Sequence, residues 1–343
     1  MTQATIRDVA RHAAVSVASV SRALNGAASV SPATRDRVQA SARALGYVPN
    51  AAARSLSLAR SNTIGVVLPE LHGEFFSEIV RGMDRAAGSL GLQLLLSNMH
   101  ADVELAAHAL RAMRGRVDGL LIMAPELAAA TLIDALPGQQ PAVLINCAAA
   151  GRSHPGFGID NRAGAAAMVR HLLAQGRQRI VHLAGPGSNL DARERQEGFT
   201  AAMAELAPGA PVEVLAGDFH EETGMAAAQA LLSRGPACDA IFAANDQMAI
   251  GAMRALQDAG VDVPGRIAVA GFDDVPVARY LALSTMRVPI AEMGARALAR
   301  LARLIDGTDT TTDVELLVPE LVVRGTTATG AISNKNPQEE PTS

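Results

Sequence analysis

The sequence predicts a multi-domain chain: an N-terminal three-helix head, then an α/β body of two similar Rossmann-like subdomains. Three observations carry this. The first 50 residues hold three short amphipathic segments with recognisable caps and stops. From Asn62 onward, apolar runs of strand length alternate with helical stretches. The length of 343 residues exceeds one domain, at roughly 150 residues per domain. Hydrophobic residues make up 49% of the chain, enough for a sizeable core.

In the head, Thr5 caps a first helix, and Asp8 three residues later suits a capping box. Val9, Ala10 and Ala13 give that helix its apolar face. The chain breaks at Ala14-Val15. Ser16 then caps a second helix carrying Val17, Val20 and Leu24, which ends at Asn25-Gly26. Ser31-Pro32 opens a third helix with a cap and an N1 proline; Val38, Ala42 and Leu45 line it, and Gly46 stops it. Pro49-Asn50 begins a short alanine-rich linker that runs to Ala59.

In the body, apolar runs recur at Thr63–Leu68, Leu92–Ser97, Gly119–Met123, Ala142–Cys147, Arg179–Ala184, Val212–Ala216, Ala240–Ala243 and Ile267–Ala270. Continuous apolar strands interleaved with helices indicate parallel sheets covered on both faces. The stretch is too long for one sheet of about six strands, so two subdomains with a cleft between them are expected. The polar tail 331–343 is expected to be disordered and lacks leucine heptads.

Charge is divided unevenly. Residues 1–60 hold eight arginines against two acids, Asp8 and Asp36, although the whole chain has a net charge of −4. A basic head on an acidic body points to a polyanion as the head's partner. Of the basic residues only Lys335 is not arginine, so no single arginine is informative by type alone. Cys147 and Cys238 have neither zinc nor disulfide-framework spacing, which fits a reducing compartment. Met1-Thr-Gln-Ala-Thr is no signal peptide, and no apolar run is long enough to span a membrane; a cytoplasmic protein is expected.

Nothing here reads as an enzyme. His72, His100, His171, His182 and His220 are scattered without metal-ligand spacing, and no Gly-x-Ser-x-Gly elbow occurs. Gly185-Pro186-Gly187-Ser188 lacks the Gly-Lys-Ser/Thr ending of a phosphate loop. No cofactor and no metal are expected.

The strongest signal is the segment Thr5 to Gly26, which reads as a helix-turn-helix whose second helix enters the major groove. Ala10, Val15 and Val20 hold the two helices together. Ser16, Val17, Ala18, Ser21 and Arg22 occupy the start and outer side of the second helix. Their mostly short side chains let the backbone approach base edges. Arg22 can make a bidentate contact to guanine, worth about 1–3 kcal/mol of discrimination, and Val17 and Ala18 can touch thymine methyls.

This segment resembles the lactose-repressor (LacI/GalR) family of bacterial transcription regulators. So do its continuations Val30-Ser31-Pro32-Ala33-Thr34-Arg35, Leu45-Gly46-Tyr47-Val48-Pro49-Asn50 and Ala53-Arg54-Ser55-Leu56. One departure is Ala14, where the family usually has glycine. The resemblance implies further DNA contacts from Thr5, Asn25, Ser31, Thr34, Tyr47, Asn50 and Ala53. It also implies a hinge helix over 50–58 that forms on operator DNA, with Leu56 as the wedge driven into the central base step. A linker or core role is the alternative for Leu56. The implied partners are operator double-stranded DNA, a small-molecule effector and a second copy of the chain. A dimer is expected because the tail has no heptads, and Phe75 to Leu90 is expected on the dimer face.

The body resembles the family's periplasmic-binding-protein-like effector domain. The matching segments are Asn62-Thr63-Ile64-Gly65-Val66-Val67, Arg195-Gln196-Glu197-Gly198-Phe199, Asn245-Asp246-Gln247-Met248-Ala249 and Gly271-Phe272-Asp273-Asp274. The expected organisation is a head over 1–49, a hinge over 50–60 and an effector-binding domain over 61–330. Its N-subdomain takes about 61–160 and 289–318, and its C-subdomain about 161–288 and 319–330.

The resemblance implies that Arg195 is the effector-binding arginine; a surface pair with Glu194 or Asp191 is the alternative. Asp160, Asn245 and Asp273 each follow an apolar strand, where open α/β sheets bind ligands. Such a set suits vicinal hydroxyls: carboxylates accept and arginine donates in a fixed fork. Phe76 and Phe219 can stack on the C–H side of a sugar, and Phe75 suits pocket or core. Met123 stands where some relatives carry a polar pocket residue. Asp246 and Asp274 read as helix caps, and Glu74 as a loop residue. The expected effector is a sugar or glycoside; a purine or protein co-repressor is the alternative, and a solute-binding protein without a DNA role a distant one.

Overall fold

A computed structural model describes residues 4–24, 29–48, 60–100, 102–136, 140–148, 150, 153–235 and 238–328. The chain divides into two compact units, Met1–Asn62 and Thr63–Ser343.

The first unit holds α1 (Ile6–His12), α2 (Val17–Leu24) and α3 (Pro32–Ala44). Local chemistry starts each of them. Thr5 and Asp8 form a reciprocal capping box, Ser16 Oγ accepts from the Ser19 amide at 3.1 Å, and Ser31 caps α3 with Pro32 behind it. Each such cap contributes about 1 kcal/mol by satisfying amides that the first turn leaves without partners. Val9, Ala10, Ala13, Val20, Ala23, Val38 and Ala42 close the core between the helices. Ala14, in the turn between α1 and α2, has φ 52°. That left-handed conformation favours glycine, so the departure noted in the sequence carries a local strain of about 1 kcal/mol.

The second unit contains two six-stranded sheets. The first comprises β1 (Thr63–Leu68), β2 (Gln93–Asn98), β3 (Gly119–Met123), β4 (Ala142–Ile145), β5 (Gly156–Ile159) and β11 (Val314–Leu317), in the order β11-β5-β4-β3-β1-β2, all parallel. The second comprises β6 (Ile180–Leu183), β7 (Glu213–Leu215), β8 (Ala240–Ala243), β9 (Ala268–Asp273), β10 (Ser284–Arg287) and β12 (Glu320–Val322), in the order β12-β10-β9-β8-β6-β7. Only β12 runs antiparallel to its neighbour. The crossovers are α4 (Glu74–Leu90), α5 (Val103–Met113), α6 (Ala129–Ala135), α7 (Asn161–Ala174), α8 (Leu190–Leu206), α9 (Glu221–Ser233), α10 (Asp246–Asp258), α11 (Pro276–Tyr280) and α12 (Ile290–Ile305).

The eight apolar runs of the sequence correspond to β1–β4 and β6–β9. Four strands carry no such run. β5 reads Gly-Phe-Gly-Ile, β10 reads Ser-Thr-Met-Arg, β11 alternates around Glu315, and β12 has three residues. They are short or mixed in pattern, yet Phe157 and Ile159 of β5, Met286 of β10 and Leu317 of β11 reach the core.

Helix α4 is set by a close backbone crossing with α12. A Cβ on Gly82 would lie 1.8 Å from the Ala291 carbonyl oxygen, and one on Gly294 would lie 2.3 Å from that of Ile79. The first turn of α4 carries Phe75 and Phe76.

Candidate functional site

In the head, Thr5, Ser16, Val17, Ala18, Arg22 and Ser31 are exposed, while Ser21, Thr34 and Tyr47 are half-buried. Tyr47 packs against the head core. The first turn of α2 thus presents Val17 and Ala18 to solvent beside Ser16. Arg22 stands one turn further on, its Nε donating to the Ala18 carbonyl at 3.3 Å. Asn25, Asn50, Ala53 and Leu56, with the expected hinge, lie outside the described residues.

In the second unit a cavity of about 390 Å³ opens where both sheets end. Its walls are segments that follow strands at their carboxyl ends: Pro69 and Glu70 after β1, His100 after β2, Pro125 and Glu126 after β3, Ser188 and Asn189 after β6, Phe219 after β7, Asn245 after β8 and Val275 after β9. Parallel strands deliver their loops to one edge, so two such sheets facing each other enclose a ligand-sized space.

Arg195 is the hub. Its side chain is 3% exposed, with Nη2 3.1 Å from Asp273 Oδ1. Nε donates to Asn161 Oδ1 at 2.9 Å and Nη1 to the Ala244 carbonyl at 2.5 Å. The guanidinium lies 3.8 Å over the Phe272 ring. Asn161 in turn donates to Asp191 Oδ1 at 2.7 Å, and Asn146 donates to Asp191 Oδ2 at 2.9 Å. Burial pushes the Asp191 carboxyl above its ordinary range, partly offset by Arg195. Burial likewise lifts Asp273 to about 6, again opposed by Arg195.

Phe75, Phe76, Met123, Arg195, Phe219, Asn245 and Asp273 all line the cavity. Phe75 and Phe76 form an edge-to-face pair with centroids 5.5 Å apart. The Phe219 ring lies where a Cβ on Gly185 would come within 2.5 Å of it. His100, Phe219 and Asp273 adopt φ of 49°, 74° and 111°. Such backbone costs about 1–3 kcal/mol per residue and persists only where surrounding structure imposes it.

Asp160 requires correction. It is the N-cap of α7: its carboxylate accepts from the Ala163 amide at 3.0 Å, and it is not among the cavity-lining residues. Two expected caps are also reassigned. Asn245 caps α10, accepting from the Met248 amide at 3.0 Å and donating to the Phe219 carbonyl at 2.8 Å. Asp246 is buried at the cavity instead, accepting from the Val275 amide and from Thr285 Oγ1. Asp274 joins Arg287 and Arg324, each at 2.7 Å, and α11 starts without a side-chain cap. Glu74 is the first residue of α4, not a loop residue, and accepts from the Val277 amide at 3.1 Å.

The sequence reading missed Asp191 as a site residue, although it sits four positions before Arg195 on one helix face. It also missed Glu126, which accepts from Asn189 at 2.7 Å, and Asn161. No motif marks Glu126; only the folded loop after β3 brings it to the cavity.

Residues 5–50 match the family of bacterial regulatory proteins of the lacI type, and residues 169–327 match a periplasmic binding protein-like domain. The transcriptional regulator GalS of Salmonella typhimurium is 39% identical over 94% of this chain and 96% of its own length. The lac repressor dimer bound to operator and the anti-inducer ONPF superposes with a TM-score of 0.86, at 32% identity over 95% of this chain and 99% of that one. The regulator CelR in complex with cellobiose gives a TM-score of 0.68, at 30% identity over 94% and 99%. With this architecture and these relatives, the chain belongs to the LacI/GalR family of DNA-binding bacterial transcription regulators.

Proposed function

We propose that the chain is a cytoplasmic, homodimeric repressor whose operator affinity is set by a sugar or glycoside held between the two subdomains. One observation carries the ligand: a cavity of about 390 Å³ with Arg195, Asp273 and Asn245 on one wall and the Phe75–Phe76 pair on another. Carboxylate and guanidinium groups suit vicinal hydroxyls, and aromatic faces suit the C–H side of a pyranose. The lac repressor and CelR, whose structures hold ONPF and cellobiose, supply the analogy.

On the DNA side, two heads would read adjacent major-groove half-sites through Val17, Ala18, Ser21 and Arg22, with the Leu56 pair at the centre. A ligand that prefers one subdomain arrangement shifts the population of the arrangement that binds operator.

The test begins with selection of duplexes from a random pool by the full chain. Melting is then followed against pentoses, hexoses, disaccharides and purines. A ligand at 100 times its Kd adds about 2.7 kcal/mol, so a binder is visible as a rise in Tm. A selected palindrome together with a sugar-specific rise supports the proposal; a purine-only rise assigns the effector elsewhere.

A further inference from the structure

We infer that the cavity discriminates by charge: it takes an uncharged sugar and rejects the phosphorylated or carboxylated form of the same sugar. This rests on the sugar reading above and narrows it. Seven carboxylates line the cavity against a single guanidinium, that of Arg195, among the described residues. His72, His100 and His220 line it as well, and a cleft in which one sign of charge predominates repels a ligand of that sign with little screening.

Arg195 is largely committed within the protein: three of its five N–H donors are engaged there, which leaves two for a ligand. Its Nε, Nη1 and Nη2 are directed at Asn161, the Ala244 carbonyl and Asp273, and its flat face is covered by Phe272. Helix N-termini are the other usual anion sites, because their amides carry partial positive charge. Four helices of eight or more residues begin at this cavity, and each already carries a carboxylate in its first turn: Glu74 on α4, Asp191 on α8, Glu221 on α9 and Asp246 on α10; the short α11, which begins after Val275, donates its Val275 and Val277 amides to Asp246 and Glu74. Electrostatic crowding is already present. Burial raises the Asp246 carboxyl, and the nearby Asp273 raises it further. The Glu126 carboxyl is raised by burial, and its Oε2 is buried without a hydrogen-bond partner. Hydroxyls can donate to such oxygens; a phosphate or carboxylate oxygen cannot.

The experiment uses the full chain at about pH 8, where imidazoles are ordinarily neutral. Calorimetric titration compares D-glucose, D-galactose and D-ribose with their terminal phosphate esters, and the two hexoses with their uronates. The expected result is that the best neutral sugar binds at least about tenfold more tightly than its uronate and its phosphate, or about 1.4 kcal/mol. Glu126→Gln keeps the acceptor for Asn189 and removes one charge, so the neutral-to-uronate ratio should fall about threefold. A uronate or phosphate that binds as tightly as the neutral sugar overturns the inference and leaves the sugar reading intact. A ratio unchanged in Glu126→Gln assigns the rejection to size and overturns it as well. Failure of every sugar, charged or not, removes the sugar reading and this inference with it.

Discussion

Arg195 and Asp273 meet at 3.1 Å with side chains 3% and 7% exposed, so each is the other's counter-charge inside the protein. The pair joins α8 to the end of β9 and faces the cavity. Removing one partner of such a pair leaves a buried charge without compensation, which costs about 3–5 kcal/mol. Arg195→Ala should therefore lower the melting temperature of the second unit and abolish the proposed response to sugar. Below that temperature, operator binding by the head should persist. Calorimetry and a gel-shift assay on one preparation check both parts; loss of DNA binding with an unchanged melt contradicts the assignment.

Arg22 should act on sequence preference, not on DNA affinity in general. Arg22→Ala is expected to cost about 1–3 kcal/mol on the selected operator and little on random duplex. Competition of operator against random DNA at fixed salt reads the ratio. An unchanged ratio would show that Arg22 does not read bases.

Ala14→Gly should stabilise the head. At φ 52° the alanine Cβ is strained, and glycine relieves about 1 kcal/mol even after its extra freedom in the unfolded chain. Denaturant unfolding followed by helical circular dichroism checks the direction.

The head was legible in the sequence because its signals are local. A Thr–Asp capping box and a Ser-Pro helix start depend on residues a few positions apart. The inner strands β1, β3, β4, β6, β8 and β9 were legible because burial on both faces demands continuous apolar runs, and the edge strands β2 and β7 carry apolar runs although they are only partly buried. β10 was not, because Ser284 and Thr285 are buried by pairing with β9 and by the Thr326 hydroxyl, a partner 42 positions away from Ser284. The site divides the same way. Arg195, Asn245 and Asp273 follow strands or lie on motif segments and all reach the cavity. Asp160 also follows a strand, yet its carboxylate turns back to cap α7, while Asp191, one helix turn before Arg195, faces the network. Sequence position after a strand does not say whether a carboxylate serves its own helix or the cavity.

His182 provides a pH readout of the core. It is wholly buried, donates from Nδ1 to the Phe242 carbonyl at 2.9 Å and stacks on Phe199 at 5.0 Å. Burial, with Arg195 nearby, depresses it from 6.5 to about 4. The folded state thus binds fewer protons than the unfolded chain between these values. Its contribution is present above pH 6.5 and is lost as pH falls through about 4. Relative to His182→Leu, the wild type should lose about 3 kcal/mol over that window. A stability difference that stays flat from neutral pH to pH 4 would contradict the buried neutral imidazole.

Asp273 should show in ligand affinity. Its carboxyl, raised to about 6 by burial, becomes protonated as pH falls through that value and stops serving as a charged acceptor. Sugar affinity measured by calorimetry is expected to fall across this range. An affinity constant from pH 8 to pH 5 would remove Asp273 from the ligand's contacts.

The central claim is that a ligand in the Arg195 cavity governs the head's hold on DNA. The most direct measurement is fluorescence anisotropy of a labelled selected operator, titrated with wild type and with Arg195→Ala, each with and without the sugar that raises Tm. The sugar should change the wild-type Kd for operator by about 5–150-fold. It should leave that of Arg195→Ala unchanged, at a sugar-free affinity equal to wild type. A wild-type Kd that ignores the sugar, or an Arg195→Ala variant that responds as wild type does, would contradict the account.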